Sequence, residues 1–179
     1  MQNQDIDVAP QKFDADIPDY SDPDADDFAA LSRDKVAVRS MQESDLAAIV
    51  RIDKKLTGKD RSAYYERKLA EVMKESGIRV SLIAEADDMP IGFIMARVDY
   101  GEFGRTEPMA VIDTIGVDPG HGRGGVASAL LSQLLANLSI LHVDRVRSTL
   151  RWDNFTLMKF LARNGFQPAQ RLVLRKRVE

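Results

Sequence analysis

The sequence predicts an α/β fold, a mixed and mostly antiparallel sheet of six or seven strands with helices on both faces. Three observations lead there. Runs of alternating apolar residues and runs at helical spacing succeed one another along most of the chain. Two apolar runs flank the turn Asp87-Asp88-Met89-Pro90 and read as a hairpin. Late in the chain come a strand, a glycine-rich loop, a helix and another strand, an order that calls for one parallel pairing around a crossover.

Residues 35–39 alternate and form the first expected strand. Ser44 offers an N-cap with Asp45 in the first turn, before Leu46, Ile49, Val50 and Ile52 at helical spacing. A second helix is expected over 60–76, stopped by Ser76-Gly77. Residues 79–85 and 91–100 are the hairpin strands, and Gly101-Glu102-Phe103-Gly104 is a loop. A strand over 109–117, a turn over 118–125 and a helix over 126–141 follow. Residues 143–150 make a further strand, 154–164 a helix ended by Gly165, and 172–178 a last strand. There is no internal repeat.

The 179 residues are 44% apolar and 30% charged, enough for one domain with a real core and a tail. Residues 1–33 hold nine aspartates against Lys12 and Arg33, so they carry −7, and a total of −3 leaves residues 34–179 at +4. The first segment has few large apolar residues and three prolines. It reads as a disordered acidic tail, because it cannot bury enough area to offset the entropy of ordering. The alternative is a nucleic-acid mimic or an arm over a basic groove. The absence of cysteine excludes disulfides, thiol catalysis and thiolate metal sites, and two histidines, His121 and His142, exclude a histidine-rich cage, so no metal is expected. No run approaches the ~20 apolar residues of a membrane span, and no secretory signal opens the chain. A cytoplasmic protein with no membrane or nucleic-acid partner is expected.

The informative segment is Pro119-Gly-His-Gly-Arg-Gly-Gly-Val-Ala127. Its glycines let the backbone turn tightly and approach a ligand, while the first amides of the following helix lack internal partners. Together they suit a phosphate, with Arg123 adding charge. No Lys-[Ser/Thr] pair follows, so this is not a Walker loop. Gly120, Gly122 and Gly125 do fit the dinucleotide fingerprint, but only ~54 residues remain, too few for the further βα units of a doubly wound fold. A loop for the diphosphate of coenzyme A is the third reading.

With Val117-Asp118-Pro119 ahead of it, this loop resembles the first signature of the GNAT superfamily of N-acetyltransferases, [Arg/Gln]-x-x-Gly-x-[Gly/Ala]. The six places fall on Gly122, Arg123, Gly124, Gly125, Val126 and Ala127. Gly125 and Ala127 agree with it, while the basic residue comes one place late. Asn154-x5-Phe160-x4-Gly165-Phe166 is similar to the family's second signature, with Leu161 where a tyrosine is usual. The resemblance spans 35–178. It implies acetyl-CoA as co-substrate and two parallel strands, 109–117 and 143–150, that splay at a bulge near Ile115-Gly116-Val117. Main-chain groups there would hold the pantetheine arm and polarise the thioester carbonyl, and Asn154 would contact the cofactor near the departing thiol.

Acetyl transfer to an amine needs a base. Asp113, flanked by apolar residues in its strand, has to point into a cleft or be paired, and is the best candidate; the alternative is a structural aspartate capping an amide or pairing with an arginine. Glu102, Glu107 and Tyr100 are weaker candidates. Leu161 removes the usual acid, leaving water to protonate the thiolate. Arg145, Arg147 and Arg151 read as sheet-edge charges, and Arg61, Tyr64 and Tyr65 as acceptor-site wall or packing. The function implied is acetyl transfer from acetyl-CoA to a primary amine by direct attack, the acceptor being a small amine or a peptide or protein amine, with a homodimer left open. The rival readings are a non-catalytic acyl-CoA sensor and a nicotinamide-dinucleotide binder.

Overall fold

The computed structural model describes residues 35–74, 80–100, 107–169 and 176–177. The acidic tail therefore lies outside the described residues, as do Glu102 and all but Lys176 and Arg177 of the expected last strand. Lys176 and Arg177 are in no strand. Five strands are present among the described residues, which corrects the expected six or seven.

The sheet runs β1 (Ala37–Ser40), β2 (Leu82–Ala86), β3 (Met89–Tyr100), β4 (Pro108–Val117) and β5 (Val146–Ser148) in spatial as well as chain order. The first three pairings are antiparallel and the last is parallel, as the crossover requires. The hairpin turn is tighter than expected. Asp87 and Asp88 take φ of 50° and 59°, the two-residue turn whose twist matches the flanking strands, and Met89 and Pro90 already belong to β3.

Helices α1 (Leu46–Thr57) and α2 (Ser62–Lys74) cover one face, and α3 (Val126–Ile140) and α4 (Phe155–Arg163) the other. On the first face Ile49, Ile52, Tyr65 and Leu69 pack on Ile83, Phe93 and Met95. On the second, Leu130, Leu131, Leu134 and Leu138 pack on Leu82, Ile94, Ala96 and Ile112. Alternation along the strands divides these sets, and burying both faces is what makes β2 to β4 near-continuous apolar runs.

Ser44 is not the helix cap. A 3₁₀ turn over Glu43–Asp45 precedes α1, and the Asp45 carboxylate accepts the Gln42 N–H at 2.7 Å. Asp45 is buried and paired with Arg39, so its burial penalty is outweighed and its pKa lies below the ordinary aspartate value. Gly92 seats α3 on the sheet: a Cβ there would stand 2.8 Å from Val126 Cγ1. That close approach fixes where the glycine-rich loop hands over to the helix.

Candidate functional site

The β3–β4 ladder changes register at one point. Met95 pairs with Thr114 but Ala96 pairs with Ile112, so Asp113 is the extra residue of a β-bulge. The bulge thus sits at Asp113, not at 115–117 as expected. It reverses the phase of β4, which puts Ile112 and Ile115 in the α3 core while Asp113 faces α2.

The parallel partner ends at the same place. β5 pairs with β4 only through Ala110↔Val146 to Ile112↔Ser148, and the Ser148 hydroxyl closes the seam by donating to Ile112 O at 3.2 Å. The expected strand over 143–150 is cut to the three residues that pair with β4. Past the bulge, β4 keeps β3 and has lost β5. Asp118 N–H donates to Ile91 O at 2.7 Å, which sets the phase of that ladder. By the alternation of antiparallel pairs, the main-chain groups of Gly116 face β3 and those of Ile115 and Val117 face the open edge.

The parted strands open a cleft of about 840 Å³. Asp113 through Val117 form one wall, and Ser148, Leu150, Asn154 and Leu157 the other. Ala127 and Leu131 of α3, and Asp53, Leu56, Thr57 and Arg61, complete it. Gly116 is needed for space rather than for its dihedrals: a Cβ would meet Phe93 Cε1 at 2.8 Å and Leu56 Cδ1 at 3.2 Å.

The glycine-rich loop divides in two. Asp118 Oδ1 accepts Gly120 N–H at 3.0 Å, His121 N–H goes to Asp118 O at 2.8 Å, and Gly122 N–H goes to Pro119 O at 3.3 Å. The first half is a closed 3₁₀ turn over Pro119–His121, so the Gly122 amide is not free for a ligand as expected. From Arg123 to Ser128, no main-chain N–H finds an acceptor among the described residues, and α3 has no side-chain cap. Arg123 and Gly125 have φ of 66° and 75°; Arg123 therefore holds a left-handed conformation, at the place where the resemblance favours glycine. Lys55 of α1 reaches Asp118 Oδ2 at 2.7 Å, and that bond, with the Gly120 amide, holds the Asp118 pKa below the ordinary value.

The opposite wall is a network of side chains. Asp53 is 3% exposed; both its oxygens are bonded by Arg61, Nε at 2.8 Å and Nη2 closer, and Tyr65 Oη donates to Oδ1 at 2.9 Å. Burial favours the neutral acid, but these hydrogen bonds outweigh it and hold the Asp53 pKa low. Tyr65 is pushed up to about 12 by its burial and by Asp53. Tyr65 packs edge-on against Phe93 at 5.9 Å, whereas Tyr64 is exposed. Of the residues singled out in the sequence, Tyr65 is core and Arg61 is wall.

Asp113 lines the cleft and is also paired with an arginine, which is the structural role set against catalysis in the sequence. Oδ1 accepts from Arg97 Nη1, and Lys68 Nζ lies 3.1 Å from Oδ2. Oδ2 is buried and the lysine approaches too obliquely for a well-formed hydrogen bond. Burial works against the charge on Lys68, but Asp113 and Glu71 raise its pKa above the ordinary lysine value. Asn154 lines the cleft while its Oδ1 caps α4 by accepting Leu157 N–H at 3.1 Å. Leu161 is buried at the cleft floor. Tyr100 is exposed and Glu107 pairs with Arg145, both away from the cleft. His121 and His142 are exposed.

Sequence reasoning does not single out Asp53. Its signal is nonetheless there: it continues the stripe of Leu46, Ile49 and Val50 seven residues on from Leu46, so a carboxylate occupies an apolar position of α1.

The model of the acetyltransferase (GNAT) family matches residues 46–166. No curated protein is similar enough in sequence to count as a relative. Among solved structures, an aminoglycoside 6′-N-acetyltransferase, AAC(6′)-Iy, in complex with a bisubstrate analogue, CoA-S-monomethyl-acetylneamine, is similar with TM-score 0.66 and 23% identity over 80% of this chain and 99% of that one. A transcriptional regulator from Bacillus halodurans C-125 is similar with TM-score 0.67 and 16% identity over 80% and 99%. Arabidopsis thaliana Naa50, in complex with the bisubstrate analogue CoA-Ac-MVNAL, is similar with TM-score 0.61 and 20% identity over 76% and 85%.

Proposed function

The chain belongs to the GNAT acetyltransferase family, and from that membership we propose that it transfers an acetyl group from acetyl-CoA to a primary amine, by direct attack within a ternary complex. The observation that carries the proposal is the parting of β4 from β5 after Ile112, with Ile115 and Val117 facing the gap. An unpaired strand edge accepts an amide-bearing chain as it would another strand. The pantetheine arm of coenzyme A has that chemistry, and the free amides from Arg123 to Ser128 suit its diphosphate. Two of the similar structures contain bisubstrate analogues of coenzyme A, which supports the same reading.

Acetyl-CoA would supply the activated acyl group as a thioester. The residues of this chain do the rest. The main-chain amides of Arg123 through Ala127, together with the Arg123 guanidinium, hold the anionic end. The outward amides of Ile115 and Val117 stabilise the charge that grows on the carbonyl oxygen during attack. Asp113, at the bulge, takes the proton the amine must lose. Val126 and Ala127 begin the helix whose dipole faces the phosphates, and Asn154 borders the thiol end. With no cysteine in the chain, no acetyl-cysteine intermediate can form. Arg145, Arg147 and Arg151 pair with Glu107, Asp99 and Asp153, so no nucleic-acid partner is proposed.

Thiol release from acetyl-CoA with a panel of primary amines tests the proposal. Turnover should fall about 100-fold in Asp113→Asn with little change in KM for acetyl-CoA. A second reading, a non-catalytic acyl-CoA sensor, is favoured by one observation, the apolar Leu161 where the usual tyrosine would stand. Tight coenzyme A binding without turnover of any amine would establish it.

A further inference from the structure

On the α1–α2 side Asp53, Arg61 and Asp113 line the cleft, and with the groups behind them their charges are equal and paired. Asp53 is bonded by Arg61, and Asp113 is shared by Arg97 and Lys68. The next carboxylates outward bind the same cations, Glu71 to Lys68 at 3.1 Å and Asp99 to Arg97 at 3.0 Å, and Arg147 at 3.5 Å from Asp99 makes four cations for four carboxylates. Among the described residues of this wall, no carboxylate is left over for a second or third positive charge.

Two consequences follow for the amine. A polycation gains its affinity from unpaired carboxylates, and a neutral wall neither steers nor anchors it. A protonated amine must also shed its proton before attack. At pH 7 a peptide α-amine is neutral in about one molecule in seven, but a lysine-type amine in only about one in 2,500. A third observation points the same way. Arg61 lines the cleft and spends Nε and Nη2 on Asp53, while its Nη1 has no partner among the described residues. That leaves donors for a carbonyl oxygen, which every peptide N-terminus carries beside its amine.

Resting on the acetyltransferase reading, we propose that the acceptor is the α-amine of a peptide or protein N-terminus, and that lysine side chains, polyamines and aminoglycosides are poor acceptors.

The test uses the full chain, acetyl-CoA at saturation and four acceptors at pH 7. These are a tetrapeptide with a free α-amine and no lysine, the same length of peptide with a blocked N-terminus and one lysine, spermine, and neamine. We expect kcat/KM for the free α-amine to exceed each of the others at least tenfold. A lysine peptide, spermine or neamine as the best acceptor would overturn the inference and leave the acetyltransferase reading intact. No turnover of any amine, with coenzyme A still bound, would overturn both. Lys68→Met then probes the cause. Removing that cation leaves Asp113 with spare negative charge, so the preference for the α-amine peptide over the lysine peptide should shrink at least threefold. Any general effect on Asp113 cancels in this ratio. An unchanged ratio in a variant that melts like the parent chain would overturn the charge argument.

Discussion

The two sides of the cleft are built from different materials. The loop side is main chain: free amides from Arg123 to Ser128 and the open edge of β4 at Ile115 and Val117. The α1–α2 side is side chain: Asp53 with Arg61 and Tyr65, and Asp113 with Arg97 and Lys68. Donors on the first side wait for a ligand, whereas charges on the second have already found one another. A surface of unspent backbone donors binds whatever anion fits, and a surface of spent charges selects by what it refuses. On the proposed function, affinity for the cofactor and choice of acceptor should therefore be separable, and each side can be broken without the other.

The largest effect should come from Asp53→Asn. Arg61 then faces a buried amide in place of a carboxylate, and Tyr65 loses a charged acceptor. Deleting one partner of a buried ion pair costs about 3–5 kcal/mol, and Arg61 is half exposed, so about 3 kcal/mol is expected in urea unfolding at pH 7. Its pH dependence has a definite sign. The folded pKa of Asp53 is depressed, so its stabilisation is complete above the ordinary carboxylate value and lost as pH falls through the lower folded value. The gap between variant and parent should therefore narrow below about pH 4. Affinity for coenzyme A should stay within about threefold, since a loss of about 3 kcal/mol leaves most molecules folded; a collapse of binding would break the separation.

Gly125→Val attacks the other side. Gly125 has φ of 75°, where a side chain costs about 1–2 kcal/mol and a β-branched one at least that. The loop should respond by rotating its amides away, and the dissociation constant for coenzyme A should rise about 10- to 30-fold by calorimetry. The selectivity between α-amine and lysine peptides should not change.

The same division decides what can be read from the sequence. Glycines announce main-chain function, because few other roles need four of them in six residues at a strand-to-helix junction. The loop and the parallel crossover are therefore legible in the residues alone, while the parting of the strands is expected only from the family resemblance. Which amides stay free is not, since that depends on Asp118 folding back to cap Gly120. The bulge is misplaced in the sequence for a similar reason: glycine suggests Gly116, but that glycine answers to the Phe93 ring, and the extra residue is the charged Asp113. Paired side chains leave fainter marks. Arg97 and Lys68 come from β3 and α2, far apart in sequence, and only packing brings them onto one carboxylate. The length of β5 is overestimated because alternation records which residues suit a strand and is silent on where a neighbour stops pairing.

One side chain joins the two sides, and it gives the smallest expected effect. Lys55 of α1 holds Asp118 of the loop at 2.7 Å with half its own surface in water. Lys55 is half exposed but Asp118 is buried, so Lys55→Met should cost about 1 kcal/mol of stability. Coenzyme A affinity should respond as well. Without the lysine, the Asp118 carboxylate stands un-neutralised beside the amides proposed to receive a diphosphate, and like charges repel. A rise of about two- to threefold in the dissociation constant is expected at low salt, shrinking at about 0.5 M salt, where charges beyond a few ångströms are screened. The double variant with Asp118→Asn separates two origins of that rise. If repulsion from Asp118 is responsible, removing its charge restores the affinity. If Lys55 instead attracts the phosphates directly, the double variant stays weak, and α1 then belongs to both sides of the cleft.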